Sequence, residues 1–303
     1  MTSAIEPVTG RYLRMNFEGR EHRVYFEEAG RGIPLVCLHT AGSDTRQFRG
    51  LLNDPRISAR FRVIAFDLPW HGKSSPPAGW QAEEYRLTRT SYPGIIRAFI
   101  AALGLERPVV MGCSIGGRVA LDLAIGHAPE FRAIIGLQSA AFTPRYYDAA
   151  WLTHPEVNGQ HASAGIVAGL MCPDSPEADR WETLWHYMQG GPGVFRGDLH
   201  YYQVDGDYRD RLEAIDTSVT PLYLLTGEYD YSASPEDSTQ TAARIKGATL
   251  RVMPGLGHFP MSENPGRFIE ELLPVLEEIA GRNDDGELAH LTAVKNNRPS
   301  ARR

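Results

Sequence analysis

The sequence predicts an α/β protein: a mostly parallel, doubly wound sheet with an inserted, mainly helical cap. Three observations lead there. Short apolar runs that read as buried strands alternate with stretches of helical spacing up to about residue 140. The alternation stops over 141–216, where glycine, proline and aromatic residues crowd together and apolar strand runs are missing. It then resumes to about residue 282, so the middle stretch interrupts one domain rather than following it.

Taken in order, "HRVYFEEAG" alternates and stops at glycine, as a strand does. "IPLVCLH" is a continuous apolar run bounded by Gly32 and by Thr40-Ala41-Gly42, the pattern of a strand buried on both faces. "RFRVIAFDLP" is another. Between them "DTRQFRGLLND" has helical spacing, with Asp44 as its N-cap. A helix over about Thr90 to Gly104, the strand "RPVVMG", a helix from Ile115 to about His127 and the strand "RAIIGLQ" follow. After the interruption come the strand "PLYLLTG", the helix Pro235 to Lys246, the strand "ATLRVMP" and the helix Pro265 to Gly281. Residues 1–140 and 217–282 are thus expected to form the core and 141–216 the cap. The polar stretch 283–303 reads as a loose tail.

Within the insertion, "SPEADRWETLWHYMQGG" is marked as a helix. Ser175 can N-cap it, Pro176 suits the first helical position and Gly190-Gly191 supply the stop. Trp181, Leu184, Trp185 and Met188 fall on one apolar face. The sheet's own helices cover its faces, so this stripe is expected over the sheet's C-terminal edge. There Trp185 or Met188, at least one of them, would face a substrate.

Hydrophobic content of 42% and charged content of 22% are those of a globular chain, and a net charge of -6 offers nothing to nucleic acid or an anionic membrane. "MTSAIEPVTG" carries no secretory pattern, and no run approaches the roughly 18 apolar residues of a membrane span. Cys37, Cys113 and Cys172 are odd in number and far apart, which reads as buried free thiols in a reducing cytoplasm. "HGKS" at 71–74 lacks the first glycine of a phosphate loop, because Asp67 stands there. No histidine or cysteine pair has metal spacing. Neither a metal nor an organic cofactor is expected, and a homodimer is left open.

The chemistry is concentrated in "VVMGCSIGGRVALDLA", 109–124. "GCSIG" follows a strand and opens a helix, so the turn must be tight and its flanking side chains small. Hence Gly112 and Gly116 stand two before and two after Ser114. The turn holds the hydroxyl at the C-terminal end of the strand, over a helix N-terminus whose free N–H groups suit a developing oxyanion. Taken alone, the same residues also describe an N-capping serine beside packing glycines. Serine needs a base, and the base an orienting acid. "LLTGEYD" runs off a strand into Glu228 and Asp230, and "VMPGLGHFP" runs off the next into His258. His258 is the candidate base. Asp230 is preferred to Glu228 as the acid because it lies farther past the strand end.

With "LHTAG", "FDLPWHGKS", "GCSIGG", "LTGEYD" and "GLGHFP", the chain resembles the α/β-hydrolase superfamily over about 12–140 and 217–280. The likeness is to its cap-bearing branch of esterases, lactonases and carbon–carbon bond hydrolases. That resemblance implies a Ser114, Asp230, His258 triad, with oxyanion donors at the Ile115 N–H and in the loop after His39. In that loop the Ala41 N–H is favoured and Thr40 is a neighbour to consider. The chain departs from the family in having Thr40 where glycine is usual, so Gly42 is expected to take the unusual turn. Trp70 replaces another glycine, and its indole is expected to line or narrow the pocket. The implied function is a cofactor-free serine hydrolase acting on a small-molecule ester or lactone. The alternatives are carbon–carbon hydrolysis of a diketone or ring-fission product, with Arg145 or Arg196 holding a carboxylate, and a slow-turnover receptor or lyase that keeps the triad.

Overall fold

The computed structural model describes residues 4–144, 152, 154 and 156–282; the expected tail, 283–303, lies outside the described residues. The strands are β1 (Thr9–Phe17), β2 (Arg20–Gly30), β3 (Ile33–Leu38), β4 (Phe61–Phe66), β5 (Val109–Cys113), β6 (Ala133–Leu137), β7 (Leu222–Gly227) and β8 (Thr249–Met253). They form one sheet in the order β1-β2-β4-β3-β5-β6-β7-β8. The pairings β1–β2 and β2–β4 are antiparallel, and all the others are parallel.

Strand β1 adds to the elements expected from sequence. Glu18 and Gly19, at φ 51° and 75°, form the two-residue turn that folds it onto β2, with Phe17 opposite Arg20. Its residues are mostly exposed, so it lacks the apolar run that marks the inner strands. Those inner strands feed two cores with alternate residues. Val36, Leu38, Ile64, Phe66 and Val110 face one side, while Leu35, Cys37, Val63, Ala65 and Met111 face the other.

Short helices α1 (Arg49–Leu52) and α2 (Pro55–Ser58) follow β3; α3 (Ser91–Ala102) and α4 (Ile115–Gly126) flank β5. The Asp44 side chain accepts from the Arg46 N–H, but the turn it caps is a 3-10 turn, Thr45–Phe48, that leads into α1. Between β6 and β7 lie α5 (Gly159–Leu170), α6 (Glu177–Tyr187) and α7 (Val194–His200); α8 (Pro235–Ala243), α9 (Pro260–Glu263) and α10 (Pro265–Gly281) complete the chain. Among the described residues no helix is long and apolar enough to cross a membrane.

Helix α6 departs from its sequence expectation. It begins at Glu177, and the Ser175 hydroxyl donates to Glu263 Oε1 at 3.0 Å instead of capping it. It ends at Tyr187, before Gly190. Its buried residues are Thr183, His186 and Tyr187, whereas Trp181 and Trp185 are each 61% exposed. The helix is turned by the partners it meets. Thr183 Oγ1 bonds Ser262 Oγ at 3.0 Å, and the Tyr187 ring stands edge-on to Phe259 at 5.5 Å.

Candidate active site

Ser114 joins β5 to α4 at φ 60° and ψ -112°. Such a conformation costs a non-glycine residue of order 1–3 kcal/mol and persists only where its surroundings impose it. The Ser114 N–H donates to Leu137 O at 3.0 Å, and its carbonyl accepts from Arg118 N at 2.8 Å. A Cβ on Gly112 would lie 2.3 Å from the Gly116 carbonyl oxygen, and one on Gly116 would lie 2.8 Å from that of Leu38. Ile115 is the first residue of α4, so its N–H has no intrahelical acceptor.

His258 lies beyond β8. Its Nδ1 stands 2.9 Å from both carboxylate oxygens of Asp230. Asp230, buried beyond β7, also accepts the Ser232 N–H at 2.7 Å and the Ala233 N–H at 3.1 Å. A carboxylate only accepts, so Nδ1 carries a proton and Nε2 is the ring nitrogen left to face away from Asp230. Glu228 is exposed and accepts from the Gly255 N–H at 3.1 Å. The structure therefore brings Asp230, not Glu228, to the imidazole.

The His258 loop is braced by residues that the sequence did not single out. Gln138 donates to Gly257 O at 2.6 Å and accepts the Gly227 N–H at 2.7 Å, tying the loop to the end of β7. Glu263, fully buried, accepts from the N–H groups on either side of His258, Gly257 at 2.7 Å and Phe259 at 3.2 Å. It also takes the Cys172 N–H at 3.1 Å and the Ser175 hydroxyl at 3.0 Å from the β6–β7 segment. Burial raises the Glu263 carboxyl above its ordinary range, and these donors pull the other way. An acid or amide in a loop reads as solvated until its partners are known, so no sequence signal marks either residue.

Thr40, Ala41 and Gly42 follow β3. Gly42 takes the positive φ, 68°, and Thr40 does not. The Thr40 N–H donates to Gln47 Oε1 at 3.0 Å and the Gly42 N–H to Asp198 Oδ2 at 2.7 Å. For the Ala41 N–H no acceptor is found among the described residues. The Thr40 hydroxyl is hydrogen-bonded to the Tyr187 hydroxyl.

Thr40, Ala41, Ser114 and His258 share one cavity of about 20 Å³. The rest of its wall is aliphatic or aromatic, including Val167, Leu170, Phe195, Leu199 and Phe259, with hydroxyls from Tyr187, Tyr202 and Ser232. Ser114 Oγ and His258 face this space without a hydrogen bond between them.

Three expected pocket residues stand elsewhere. Trp70, at φ 77°, packs its indole on Trp80 and Tyr85 with ring separations of 5.6 and 5.3 Å. It lines a separate cleft of about 170 Å³. Trp185 is on the solvent side of α6 because the Tyr187 side of that helix takes the inward position. Met188 packs into the small cluster of Val167, Tyr187 and Phe259 and is absent from the cavity wall.

A family profile described as "Alpha/beta hydrolase family" matches residues 35–271. The chain belongs to the alpha/beta hydrolase family. Its structure is similar to a thermophilic esterase from Thermogutta terrifontis, with a TM-score of 0.77 and 21% identity over 89% of this chain and 99% of that one. It is also similar to the enol-lactonase from Burkholderia xenovorans LB400, with a TM-score of 0.76 and 19% identity over 88% of this chain and all of the other, 100%. In sequence it is 23% identical over 274 residues to a 2-hydroxy-6-oxo-6-(2'-aminophenyl)hexa-2,4-dienoic acid hydrolase of Metapseudomonas resinovorans, covering 88% of this chain and 91% of that one. The proteins it resembles thus carry the names of an esterase, an enol-lactonase and a dienoic acid hydrolase. In this alpha/beta hydrolase, Thr40, Ser114, Asp230 and His258 all lie beyond the C-terminal ends of strands, at one edge of the sheet.

Proposed function

We propose that this alpha/beta hydrolase is a cofactor-free serine hydrolase that cleaves a carboxylic ester or lactone of a small to medium apolar substrate through an acyl-enzyme. One observation carries the reading: Ser114, forced to φ 60°, shares a cavity with an imidazole whose Nδ1 is held by the buried Asp230. Ser114 Oγ attacks the carbonyl carbon as His258 Nε2 takes its proton. The oxyanion rests on the N–H groups of Ile115 and Ala41, the latter supported because its two neighbours' N–H groups are already engaged. His258 then protonates the leaving alkoxide, takes a proton from water and directs hydroxide onto the acyl-enzyme. Asp230 keeps the ring in the right tautomer and stabilises the imidazolium.

Residues 141–216 serve as a cap in this reading. The cavity has room for about one water molecule, so the cap has to shift to admit a substrate. Its apolar wall supports an uncharged acyl group. Carbon–carbon hydrolysis of an anionic dienoate needs a cationic or amide partner. Arg196 lines the neighbouring outer cavity, and Arg145 lies outside the described residues.

A fluorophosphonate probe tests the reading. Intact-protein mass spectrometry is expected to show one adduct on the wild type, mapped to Ser114, together with turnover of p-nitrophenyl acetate and butyrate. Turnover by a protein that stays unlabelled at Ser114 overturns it.

A further inference from the structure

The peptide joining Thr40 to Ala41 is held at its carbonyl end. Thr40 O accepts from His39 Nδ1 at 2.8 Å and from Ser43 N at 3.2 Å. A trans peptide points its C=O and N–H in opposite directions, so gripping the carbonyl aims the Ala41 N–H the other way. The next peptide is held by its N–H, which Gly42 donates to Asp198 Oδ2 at 2.7 Å. Asp198 belongs to α7, in the segment between β6 and β7, and its side chain is completely buried.

This carboxylate gathers three donors. Besides Gly42, His71 Nε2 stands 2.8 Å from Oδ2 and the Tyr85 hydroxyl donates to Oδ1 at 2.7 Å. His71 Nδ1 is 3.0 Å from Pro69 O. Both neighbours of the ring are acceptors, so both nitrogens carry protons and His71 is an imidazolium paired with Asp198. Burial opposes that charge, and the Asp198 carboxylate outweighs it, raising His71 above the ordinary histidine value. His39 is the reverse. Its Nε2 accepts the Leu68 N–H at 3.1 Å, so the ring is neutral with its proton on Nδ1, where Thr40 O needs it. Burial, and then the His71 charge across a ring separation of 4.7 Å, push His39 down to about 4. The α7 helix also presses on the same loop, since a Cβ on Gly42 would lie 2.7 Å from the Phe195 ring.

We propose that Asp198 is the positioning residue for the second oxyanion donor, so that the oxyanion site is complete only when the cap is docked on the loop after β3. The inference rests on the serine-hydrolase reading, with the Ala41 N–H as a donor. Asp198 touches no substrate. It acts through the Gly42 N–H and through the His71–His39 pair that grips Thr40 O.

The test compares full-length wild type with Asp198→Asn and Tyr85→Phe. The amide keeps the shape of the side chain but loses its charge and one acceptor. On p-nitrophenyl acetate, Asp198→Asn is expected to lower kcat by about 10- to 100-fold, with KM changed by less than about threefold, because an aimed donor acts on the transition state. A trifluoromethyl ketone, which binds as a tetrahedral oxyanion adduct, should lose affinity by the same factor as kcat/KM. Binding of a planar carboxylate product should stay within about twofold, a split that general loosening of the fold does not produce. Tyr85→Phe removes one of the three donors to Asp198, and a parallel loss of about 2- to 5-fold in kcat and ketone affinity is expected. If Asp198→Asn folds and keeps both quantities within twofold, the inference is wrong. If that variant does not fold, an unchanged Tyr85→Phe overturns it just as well. A wild type that neither labels at Ser114 nor hydrolyses the ester overturns the hydrolase reading and the inference together. A labelled, active wild type with an indifferent Asp198→Asn overturns the inference alone.

Discussion

Around Ser114 backbone crowds against backbone, while the β6–β7 segment meets the core across a seam of hydrogen bonds. Gly112 faces the Gly116 carbonyl and Gly116 faces that of Leu38, with no room for a single added carbon. The β6–β7 segment touches the core through Tyr187 on Thr40, Asp198 on Gly42, Thr183 on Ser262 and Ser175 on Glu263, and also through backbone, with Leu170 O accepting the His258 N–H and Gly197 O the Leu87 N–H, each at 3.0 Å. Backbone crowding has one solution and no slack. A seam of hydrogen bonds between separate segments can open and re-form, which is what the proposed role of the β6–β7 segment as a cap requires. Ser114 is therefore expected to be rigid, and access to it and the aim of the Ala41 N–H to be adjustable.

The comparison predicts that damage at the turn is large and purely chemical. Ser114→Ala should cut ester turnover by about 10⁴-fold or more, with a melting temperature within a few degrees of wild type. Stopped-assay kinetics and calorimetry on the same sample check both halves. A large loss of stability would show that the serine, not the glycines, supports the turn. Asp230→Asn should cost about 10³- to 10⁴-fold in kcat, because the imidazole loses the partner at its Nδ1, whereas exposed Glu228→Gln should stay within about threefold. The reverse order of these two effects would reassign the acid.

Damage in the β6–β7 segment should be smaller and selective. Phe195→Ala opens the cavity wall and should shift the preference between bulky and acetyl esters by about 1–3 kcal/mol, read from the ratio of kcat/KM values. Equal change on both substrates would mean that Phe195 only holds the β6–β7 segment in place. His186, on the buried face of α6, has neither ring nitrogen hydrogen-bonded among the described residues. Burial lowers it from 6.5 to about 4, against the attraction of Asp44. Between those pH values the unfolded chain holds a proton that the folded chain lacks, so this residue costs stability as the pH falls through that window. His186→Leu should therefore raise the melting temperature by several degrees at pH 5 and by less at pH 8. A gain independent of pH would assign the effect to packing alone. The smallest effect is expected of Trp185→Ala. With its side chain largely in solvent, kinetics should stay within about twofold and stability within about 0.5 kcal/mol.

Much of the core was legible because each inner strand is buried on both faces and reads as an unbroken apolar run. Helix α10, expected over 265–281, spans Pro265–Gly281, since Pro265 and a regular apolar spacing mark it independently of any neighbour. The edge strand β1 was missed because exposure erases that signal; only the Glu18-Gly19 turn remained to mark it. Helix α6 was located but faced wrongly. Its apolar stripe, Trp181 to Met188, predicts an inward side, yet the stripe's two tryptophans are in solvent.

By itself the sequence determined what depends on local sterics and period: the order of strands and helices, the tight turn at Ser114, and the candidate acid and base at strand ends. The tertiary structure decided what depends on partners from distant parts of the chain. It chose Asp230 over Glu228 by bringing His258 to one of them. It turned Tyr187 inward because Thr40 and Phe259 receive it. It also buried Asp198 against Gly42 and His71, 156 and 127 residues away in sequence. A carboxylate carries no mark of whether water or a buried donor will meet it, and only the packing of the whole chain supplies that.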